Sequence, residues 1–515
     1  MLALQFRSAD RPFSWTPAGR GWRSGDSFIH PFEHPSLESF SLTAGGRSLF
    51  VVRERIAGAH PLTRGDDFDR ALDDARSWPL EFLIIATDNA SAEATMYTGS
   101  WGVAPLLLIA RDGTLHGHWD PSELYRYVDA REPLEPDLAA ELLVRGGNSY
   151  SWRTVIRSLL MLTERARARW ADGSLRIDYP RAVALPAARE LKPDADVLGA
   201  FDEILTAAMR RWLAPGDPVP AAELSGGLDS AIVAATAAKV TGSAVRTFGL
   251  QMPPPSGASQ RERRDELIGL FGFQDTLLDA ESLRPFSNRR RIDEGLVVPW
   301  HEFYSDAFDE IYRLAHRSGA RVVLSGLGGD ELLFVPREGE AEPAPPLPPY
   351  LTPFARDALG GAGRDAAPAG LISTSALDSA AGTGALAMRR GLWPINPLCT
   401  PEVVRFCSSL PVKWRIDRAL ERRFVQALGC SDAIAHPKMT ESFGELMHDT
   451  LTRHARPLLE GLFAESRLAA LNLVDGDALR SSYREHCERG TDESDMWFLM
   501  PAIAELTLRA IEISG

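Results

Sequence analysis

The sequence has few cysteines, and their spacing gives no sign of a cross-linked or zinc-bound fold. Its four cysteines, Cys399, Cys407, Cys430 and Cys487, all lie in the last quarter of the 515 residues, and none forms a CxxC pair. A disulfide framework or a cysteine zinc site is therefore not expected.

Long hydrophobic runs and an excess of positive charge are also missing. No apolar run approaches the roughly 20 residues of a membrane-spanning helix, so we expect a cytoplasmic protein with no membrane partner. The formal net charge is −14. Because phosphate backbones are held by basic surfaces, we expect no nucleic-acid partner. The 44% of hydrophobic residues is enough for two or three globular domains.

The pattern of the chain changes near residue 190. Up to about Pro186 it consists of short apolar or alternating runs such as "EFLIIATD", separated by turn residues, which predicts strands. The fragment "ARDGTL" carries the Asp-Gly signal of a tight hairpin. From about Val197, helical and strand patterns alternate, which predicts a parallel sheet in a doubly wound α/β domain, followed by a mostly helical part.

Residues 335–384 have a different composition from their surroundings. The stretches "EGEAEPAPPLPPY" and "GGAGRDAAPAG" are crowded with proline, glycine and alanine. This composition predicts a mobile loop or lid rather than ordered core.

A glycine-rich turn, "SGGLDS" at residues 225–230, follows a predicted strand and opens a predicted helix. Free backbone N–H groups and the helix dipole make such a turn an anion site. The turn lacks the lysine of the common nucleotide-binding loop and carries Asp229 instead. A carboxylate inside an anion site suits a magnesium ion that is itself bound to phosphates.

The "SGGLDS" turn resembles the pyrophosphate loop of the ATP-dependent, AMP-forming amide synthetases of the asparagine synthetase class. Two further stretches are similar to that family: "VVLSGLGGDELLF" resembles its second signature, and "AIAHPKMTESF" resembles the tail that carries a lysine. The resemblance implies an inactive glutaminase-type α+β sandwich in residues 1–186. It implies an ATP-binding synthetase domain in residues 187–515, with a doubly wound parallel sheet and a helical C-terminal part.

The resemblance also implies the site residues and the cofactors, which are ATP and Mg²⁺. Asp229 and Asp330 are expected to hold Mg²⁺, and Lys438 is expected to act at the reacting centre. The residues expected to contact ATP are Leu224, Ser225, Gly226, Gly227, Leu228, Asp229, Ser230, Phe248, Gly249, Ser325 and Gly326. Arg422 and Arg423 lie where the family has a basic helix residue, but a solvated helix face explains them equally well.

Two departures from the family pattern concern the amine that is joined to the activated carboxylate. Glutamine-using members carry a catalytic cysteine directly after the initiator methionine, whereas this sequence begins Met1-Leu2 and has no cysteine before Cys399. We therefore expect the glutaminase scaffold without its thiolate. The residue between the first two glycines of the second signature is acidic in asparagine synthetases and tyrosine in β-lactam synthetases, but here it is Leu327.

Leu327 and the proline-rich insertion after "DELLFV" favour the branch of the family that closes the macrolactam ring of lasso peptides. Such a cyclase joins a peptide's N-terminal amine to an internal Asp or Glu side chain, and its partners are a precursor peptide and a leader peptidase. A β-lactam-type or other small-molecule amide synthetase and an ammonia-dependent asparagine synthetase are the alternatives. A scaffold protein with a lost ATP site is less favoured, because both aspartates are present.

Overall fold

The N-terminal part of the protein is built from strands. The computed structural model describes residues 1–56, 67–214, 217–300, 302–335, 345–489 and 494–515. The elements of the N-terminal part are β1 (Leu2–Arg7), β2 (Thr16–Ala18), β3 (Gly21–Ser24), β4 (Ser27–Pro31), β5 (Leu37–Ala44), β6 (Arg47–Glu54), α1 (Phe68–Arg76), β7 (Phe82–Asp88), β8 (Glu93–Thr98), β9 (Leu106–Arg111), β10 (Thr114–His118), α2 (Pro136–Arg145), β11 (Leu160–Leu162), β12 (Arg167–Ala171) and β13 (Ser174–Asp178).

These strands form two antiparallel sheets that share one core. The first sheet has the order β11-β9-β10-β1-β4-β3-β2, and the second has the order β13-β12-β8-β7-β6-β5. Phe6 on β1 contacts Trp170 on β12, with ring centroids 6.0 Å apart. Asp112 and Gly113 have positive φ in the turn between the antiparallel strands β9 and β10, which confirms the predicted hairpin.

The middle of the chain forms a parallel sheet with helices around it. Its elements are α3 (Val197–Met209), β14 (Ala221–Glu223), α4 (Leu228–Thr241), β15 (Arg246–Gln251), α5 (Ser256–Phe271), β16 (Gln274–Asp279), α6 (Arg289–Asp293), α7 (Ser305–Arg317), β17 (Val322–Leu324), α8 (Gly329–Leu332), α9 (Pro353–Ala358), α10 (Thr374–Arg389) and β18 (Trp393–Ile395). The strand order is β16-β15-β14-β17-β18, and each adjacent pair is parallel. This order confirms the predicted doubly wound sheet, whose direction of winding reverses between β14 and β17.

The rest of the chain is helical, as predicted. Its helices are α11 (Pro401–Ser408), α12 (Val412–Arg415), α13 (Ala419–Ala427), α14 (Asp432–Ala435), α15 (Gly444–Asp449), α16 (Arg456–Ala464), α17 (Arg467–Ala470), α18 (Gly476–Arg489) and α19 (Met496–Ser514). Among the described helices, none has the length and apolar character needed to cross a membrane.

Much of the segment expected to be a mobile loop is ordered core, so that prediction is wrong for residues 345–384. Tyr350 is fully buried, and α9 and most of α10 lie in this segment. A Cβ at Gly384 would lie only 2.1 Å from the carbonyl oxygen of Val103, so glycine lets α10 pack closely against the N-terminal part. Residues 336–344 of the segment lie outside the described residues.

Candidate active site

The phosphate loop, residues 224–230, joins the carboxyl end of β14 to the first turn of α4. Gly226 has φ of +93°, a left-handed conformation that favours glycine. The Ser225 hydroxyl lies 3.1 Å from the Ser230 hydroxyl and accepts a 3.1 Å hydrogen bond from the Gly227 N–H. Since the first N–H groups of a helix have no partner within it, the loop has the geometry of an anion site.

Two leucines anchor the phosphate loop in the core. Leu224 and Leu228 are buried, and the Leu224 N–H donates a 2.8 Å hydrogen bond to the carbonyl of Phe248 on β15. A Cβ at Gly249 would lie 2.2 Å from the Leu224 carbonyl oxygen, so glycine allows the strand to approach the loop. Phe248 and Gly249 therefore lie beside the loop, and their contact with adenine stays a prediction.

Two neighbouring arginines of α5 lie buried beneath the phosphate loop. Arg263 donates from Nε to the carbonyl of Gly226 over 3.2 Å, and only 4% of its side chain is exposed. Arg264 donates from Nη2 to Asp275 over 2.6 Å and is 1% exposed. Arg263 is paired with Glu441 and Arg264 with Asp275, so the two arginines fix the loop from below with their charges balanced. Sequence reasoning missed both arginines because "SQRERRDELI" does not distinguish buried charges from exposed ones.

The second signature, residues 325–331, follows β17 and packs directly on the phosphate loop. A Cβ at Gly326 would lie 2.8 Å from the Cβ of Asp229, and one at Gly329 would lie 2.1 Å from Asp229 Oδ1. The Ser325 hydroxyl donates a 2.8 Å hydrogen bond to the loop that follows β18. The structure thus brings the two signatures together, and glycines make their close contact possible.

One arginine joins the two aspartates that were expected to hold magnesium. Arg418 donates from Nη2 to Asp229 and, over 2.6 Å, from Nη1 to Asp330. Its Nε donates to Glu421, whose side chain is fully buried. Because both aspartates contact one guanidinium, they lie close enough to bind one cation together. Carboxylate oxygens are preferred Mg²⁺ ligands, so these residues fit the expected metal.

The cluster carries more negative than positive charge. Burial raises the pKa of Asp229 to about 6, against the opposing effect of the Arg418 charge. Burial, and then the charge of Asp229, raises the pKa of Glu421 to about 8. Burial disfavours the charge of Arg418, but Glu421 and Asp229 raise its pKa above the ordinary value. Three carboxylates thus share one guanidinium, an imbalance that a bound divalent cation would reduce.

Arg418 is the functional residue that sequence reasoning missed in this region. Arg422 donates to the Asp417 carbonyl oxygen over 2.6 Å, and Arg423 lies 4.5 Å over the Trp414 ring, so both bind elsewhere. The position of Arg418 depends on left-handed backbone at Asp417 and Arg418, with φ of +51° and +58°. Nothing in "RIDRALERR" predicts that conformation for two residues that are not glycine.

Lys438 lies on an exposed segment between α14 and α15. Arg263 donates to the Met439 carbonyl oxygen over 3.2 Å and to the carboxylate of Glu441. Since Arg263 also binds Gly226, one side chain holds the Lys438 segment against the phosphate loop. Within the described residues the Lys438 ammonium makes no hydrogen bond or ion pair, so its catalytic role stays a prediction.

A cavity of about 410 Å³ is lined by residues that follow α2, by α10, by α19 and by the segment that follows Lys438. Its lining is rich in aromatic and methionine side chains, namely Tyr150, Trp300, Phe303, Tyr304, Phe443, Met161, Met447, Met496 and Met500. Four of the ten methionines of the chain therefore line one cavity. Methionine adapts to different apolar partners because its side chain is flexible and polarisable.

Two connections link the cavity to the active-site signatures. Ser375 on α10 donates a 2.7 Å hydrogen bond to Glu331 of the second signature, and Asp378, three residues later on the same helix, lines the cavity. On the other side, Phe443 follows the Lys438 segment and contacts Tyr304, with ring centroids 4.7 Å apart. The cavity is thus bordered by elements that also shape the predicted ATP site.

The sequence matches the model of a known protein family over residues 200–337 and 376–509, which is more than half of the chain. The description of that family is asparagine synthase. The first range contains the phosphate loop and the second signature, and the second range contains Arg418 and Lys438. A comparison with curated proteins finds no significant match.

Proposed function

Because the chain belongs to the asparagine synthase family of ligases that form C–N bonds, we propose that it forms an amide through an acyl-adenylate. A substrate carboxylate attacks the α-phosphate of ATP, which forms the acyl-adenylate and releases pyrophosphate. An amine then attacks the activated carbonyl, and AMP leaves. The observation that supports this site is the packing of the phosphate loop against the second signature at the point where the sheet reverses its winding.

The chain's own residues have separate tasks in this proposal. The loop from Ser225 to Ser230 binds the pyrophosphate through backbone N–H groups, and Arg263 holds the loop in place through its hydrogen bond to the Gly226 carbonyl. Asp229 and Asp330 would hold Mg²⁺, which neutralises phosphate charge when bound. Lys438 stabilises negative charge in the transition states.

In this proposal the Arg418 side chain has two positions, one without nucleotide and one when Asp229 and Asp330 hold a cation. Without nucleotide its guanidinium lies between Asp229 and Asp330. If these carboxylates held Mg²⁺, the guanidinium would be released from them and would pair with the phosphates of bound ATP. The aspartate pair thus has a positively charged partner in both states.

The volume and the lining of the cavity favour a substrate larger than ammonia or aspartate. Its volume of about 410 Å³ is in the range of sites for small organic ligands, and its lining is mostly apolar. No cysteine precedes Cys399 in this sequence, so the strands of the two antiparallel sheets offer no thiolate for releasing ammonia from glutamine. We therefore propose a peptide substrate, with apolar side chains in the cavity.

Asp378 is the single carboxylate among the described residues that line the cavity. We propose that it binds the amine of the substrate as an ammonium ion and receives its proton. Holding the amine and the activated carboxylate of one peptide in the same site makes the condensation intramolecular. The product is a macrolactam ring of the lasso-peptide type, with a leader peptidase as the partner that exposes the amine.

The test combines the full-length protein with ATP, Mg²⁺ and synthetic leaderless peptides, chosen from short reading frames next to its gene. We expect AMP, pyrophosphate and a peptide that has lost one water. Two control peptides, one N-acetylated and one with its internal Asp or Glu changed to Asn or Gln, should not cyclise. Asparagine formed from aspartate and free ammonia would instead identify an ammonia-dependent synthetase, and a cyclised small amino-acid derivative would identify a β-lactam-type enzyme.

A further inference from the structure

Three polar side chains, two on separate helices and one just before a third helix, lie close together near the cavity. His448 on α15 places Nδ1 2.9 Å from Oδ1 of Asp495, the residue before α19. His486 on α18 places Nε2 2.8 Å from the same oxygen. The ligand atoms of the three residues all lie within 4.8 Å of one another. A search of the described residues for three or more histidine, cysteine or carboxylate side chains that are close enough to share a metal ion finds these three.

Two of these side chains are buried with polar atoms left unsatisfied. The side chains of His486 and Asp495 are 4% and 1% exposed. Among the described residues, neither His486 Nε2 nor Asp495 Oδ2 has a hydrogen-bond partner. Although His486 Nε2 lies 2.8 Å from Asp495 Oδ1, the angle of this contact does not suit a hydrogen bond. Leaving buried polar atoms unpaired destabilises the fold, so a ligand that binds both atoms would be favoured.

We propose that His448, His486 and Asp495 bind a divalent transition-metal ion, with Zn²⁺ as the ion that fits best. Two imidazole nitrogens and one carboxylate oxygen form a common zinc ligand set, in which a water completes the tetrahedron. Ligand atoms of a tetrahedral zinc site are about 3.3 Å apart. Both nitrogens lie 2.8–2.9 Å from Asp495 Oδ1, and the three atoms lie within 4.8 Å of one another, so side-chain movements of about 1 Å would complete the site. Mg²⁺ and Ca²⁺ prefer oxygen ligands, which separates this site from the aspartate pair at the phosphate loop.

The ion would fix one wall of the cavity. It would join α15, α18 and the start of α19, and the residues next to two of its ligands, Met447 and Met496, line the cavity. A cross-link at this place stabilises the folded chain because the unfolded chain does not hold the three ligands together. This role does not depend on the proposed amide-forming activity.

The experiment measures zinc binding by tag-free, full-length protein in the absence of nucleotide and peptide. The protein is dialysed against EDTA, titrated with Zn²⁺ in competition with a chromophoric chelator, and checked by elemental analysis. The variants are Asp495→Asn and His486→Gln. His454→Gln is the matched control, because His454 is exposed and pairs only with Asp449 in the described structure. Co²⁺ substitution adds an absorption spectrum that reports tetrahedral coordination.

We expect one Zn²⁺ per wild-type chain, a tetrahedral Co²⁺ spectrum and a higher melting temperature with zinc. Each ligand variant should bind zinc at least about tenfold more weakly, and His454→Gln should bind it like the wild type. Wild-type protein that binds no zinc would overturn the proposal, even if a variant fails to fold. Unchanged zinc binding by both ligand variants would also overturn it, and the three residues would then form only an ion-pair network.

Discussion

Asp229 and Arg418 form an ion pair between the first turn of α4 and the residue before α13, 189 positions apart in sequence. The same guanidinium binds Asp330 and Glu421. The aspartate pair therefore already binds a positively charged group before any metal is bound.

Replacing Arg418 by methionine should destabilise the protein and free the aspartates for metal. Glu421 is fully buried and would lose its hydrogen bond from Arg418 Nε, which costs about 1–3 kcal/mol. Without nucleotide, added Mg²⁺ should raise the melting temperature of Arg418→Met more than that of the wild type, because the guanidinium no longer competes. Thermal unfolding with and without Mg²⁺ measures both effects.

The control for this variant is Arg423→Met, which removes a guanidinium that lies over the Trp414 ring. It should lose about 1 kcal/mol or less and show the wild-type response to Mg²⁺. An Arg418→Met protein as stable as the wild type, with the same response to Mg²⁺, would mean that the ion pair is unimportant.

Nucleotide binding should weaken in acid because Asp229 becomes protonated. Burial raises the pKa of Asp229 to about 6, so its carboxylate is charged at pH 8 and mostly neutral at pH 5. The affinity for Mg²⁺ and a non-hydrolysable ATP analogue should be constant above pH 7. It should then fall by about tenfold per pH unit below pH 6. Calorimetric titrations between pH 5 and pH 8 measure this, and a constant affinity down to pH 5 would contradict the assignment.

Adding a methyl group at Gly329 should disrupt the contact between the two signatures. Its Cβ would lie 2.1 Å from Asp229 Oδ1, so Gly329→Ala should cost about 1–3 kcal/mol of stability and displace the carboxylate. We expect ATP-analogue affinity to fall at least tenfold. Gly360→Ala is the control, because a Cβ there meets no atom within 4 Å. Equal affinities for the two variants would show that the signatures need not pack so closely.

Lys438 should act on the rate of reaction rather than on folding. It is exposed and is one of only four lysines in the sequence. With an accepted substrate, Lys438→Met should lower kcat about 100-fold or more, as loss of a group that stabilises the transition state does. Lys413→Met, at another exposed lysine, should keep full turnover. Melting temperatures should not change in either variant, and an active Lys438→Met enzyme would remove this lysine from the mechanism.

Local patterns predicted the fold and the loops of the site well. The alternation of helices and strands predicted the parallel sheet, and the "SGGLDS" turn and the "SGLGGDE" turn lie where adjacent strands end. These features depend on short-range periodicity and on turn residues, which the sequence carries directly. The resemblance to the family added the pairing of Asp229 with Asp330.

Features that depend on distant contacts were not predictable from the sequence. Arg418 reaches its aspartates through a left-handed turn with no glycine, and Arg263 and Arg264 are buried although they look like a solvated helix face. The segment before and within α10 was misinterpreted because its proline, glycine and alanine predicted a mobile loop or lid. In the structure, Gly384 instead allows close packing against Val103.

We propose that the site around Asp229 and Asp330 activates a carboxylate by cutting ATP to AMP and pyrophosphate. The most direct measurement follows AMP, pyrophosphate and amide product together with an accepted substrate, for the wild type and for Asp229→Asn. We expect equal amounts of AMP, pyrophosphate and amide from the wild type, and a reaction at least about 100-fold slower from Asp229→Asn. Release of ADP and phosphate, or amide formation by Asp229→Asn at the wild-type rate, would contradict it.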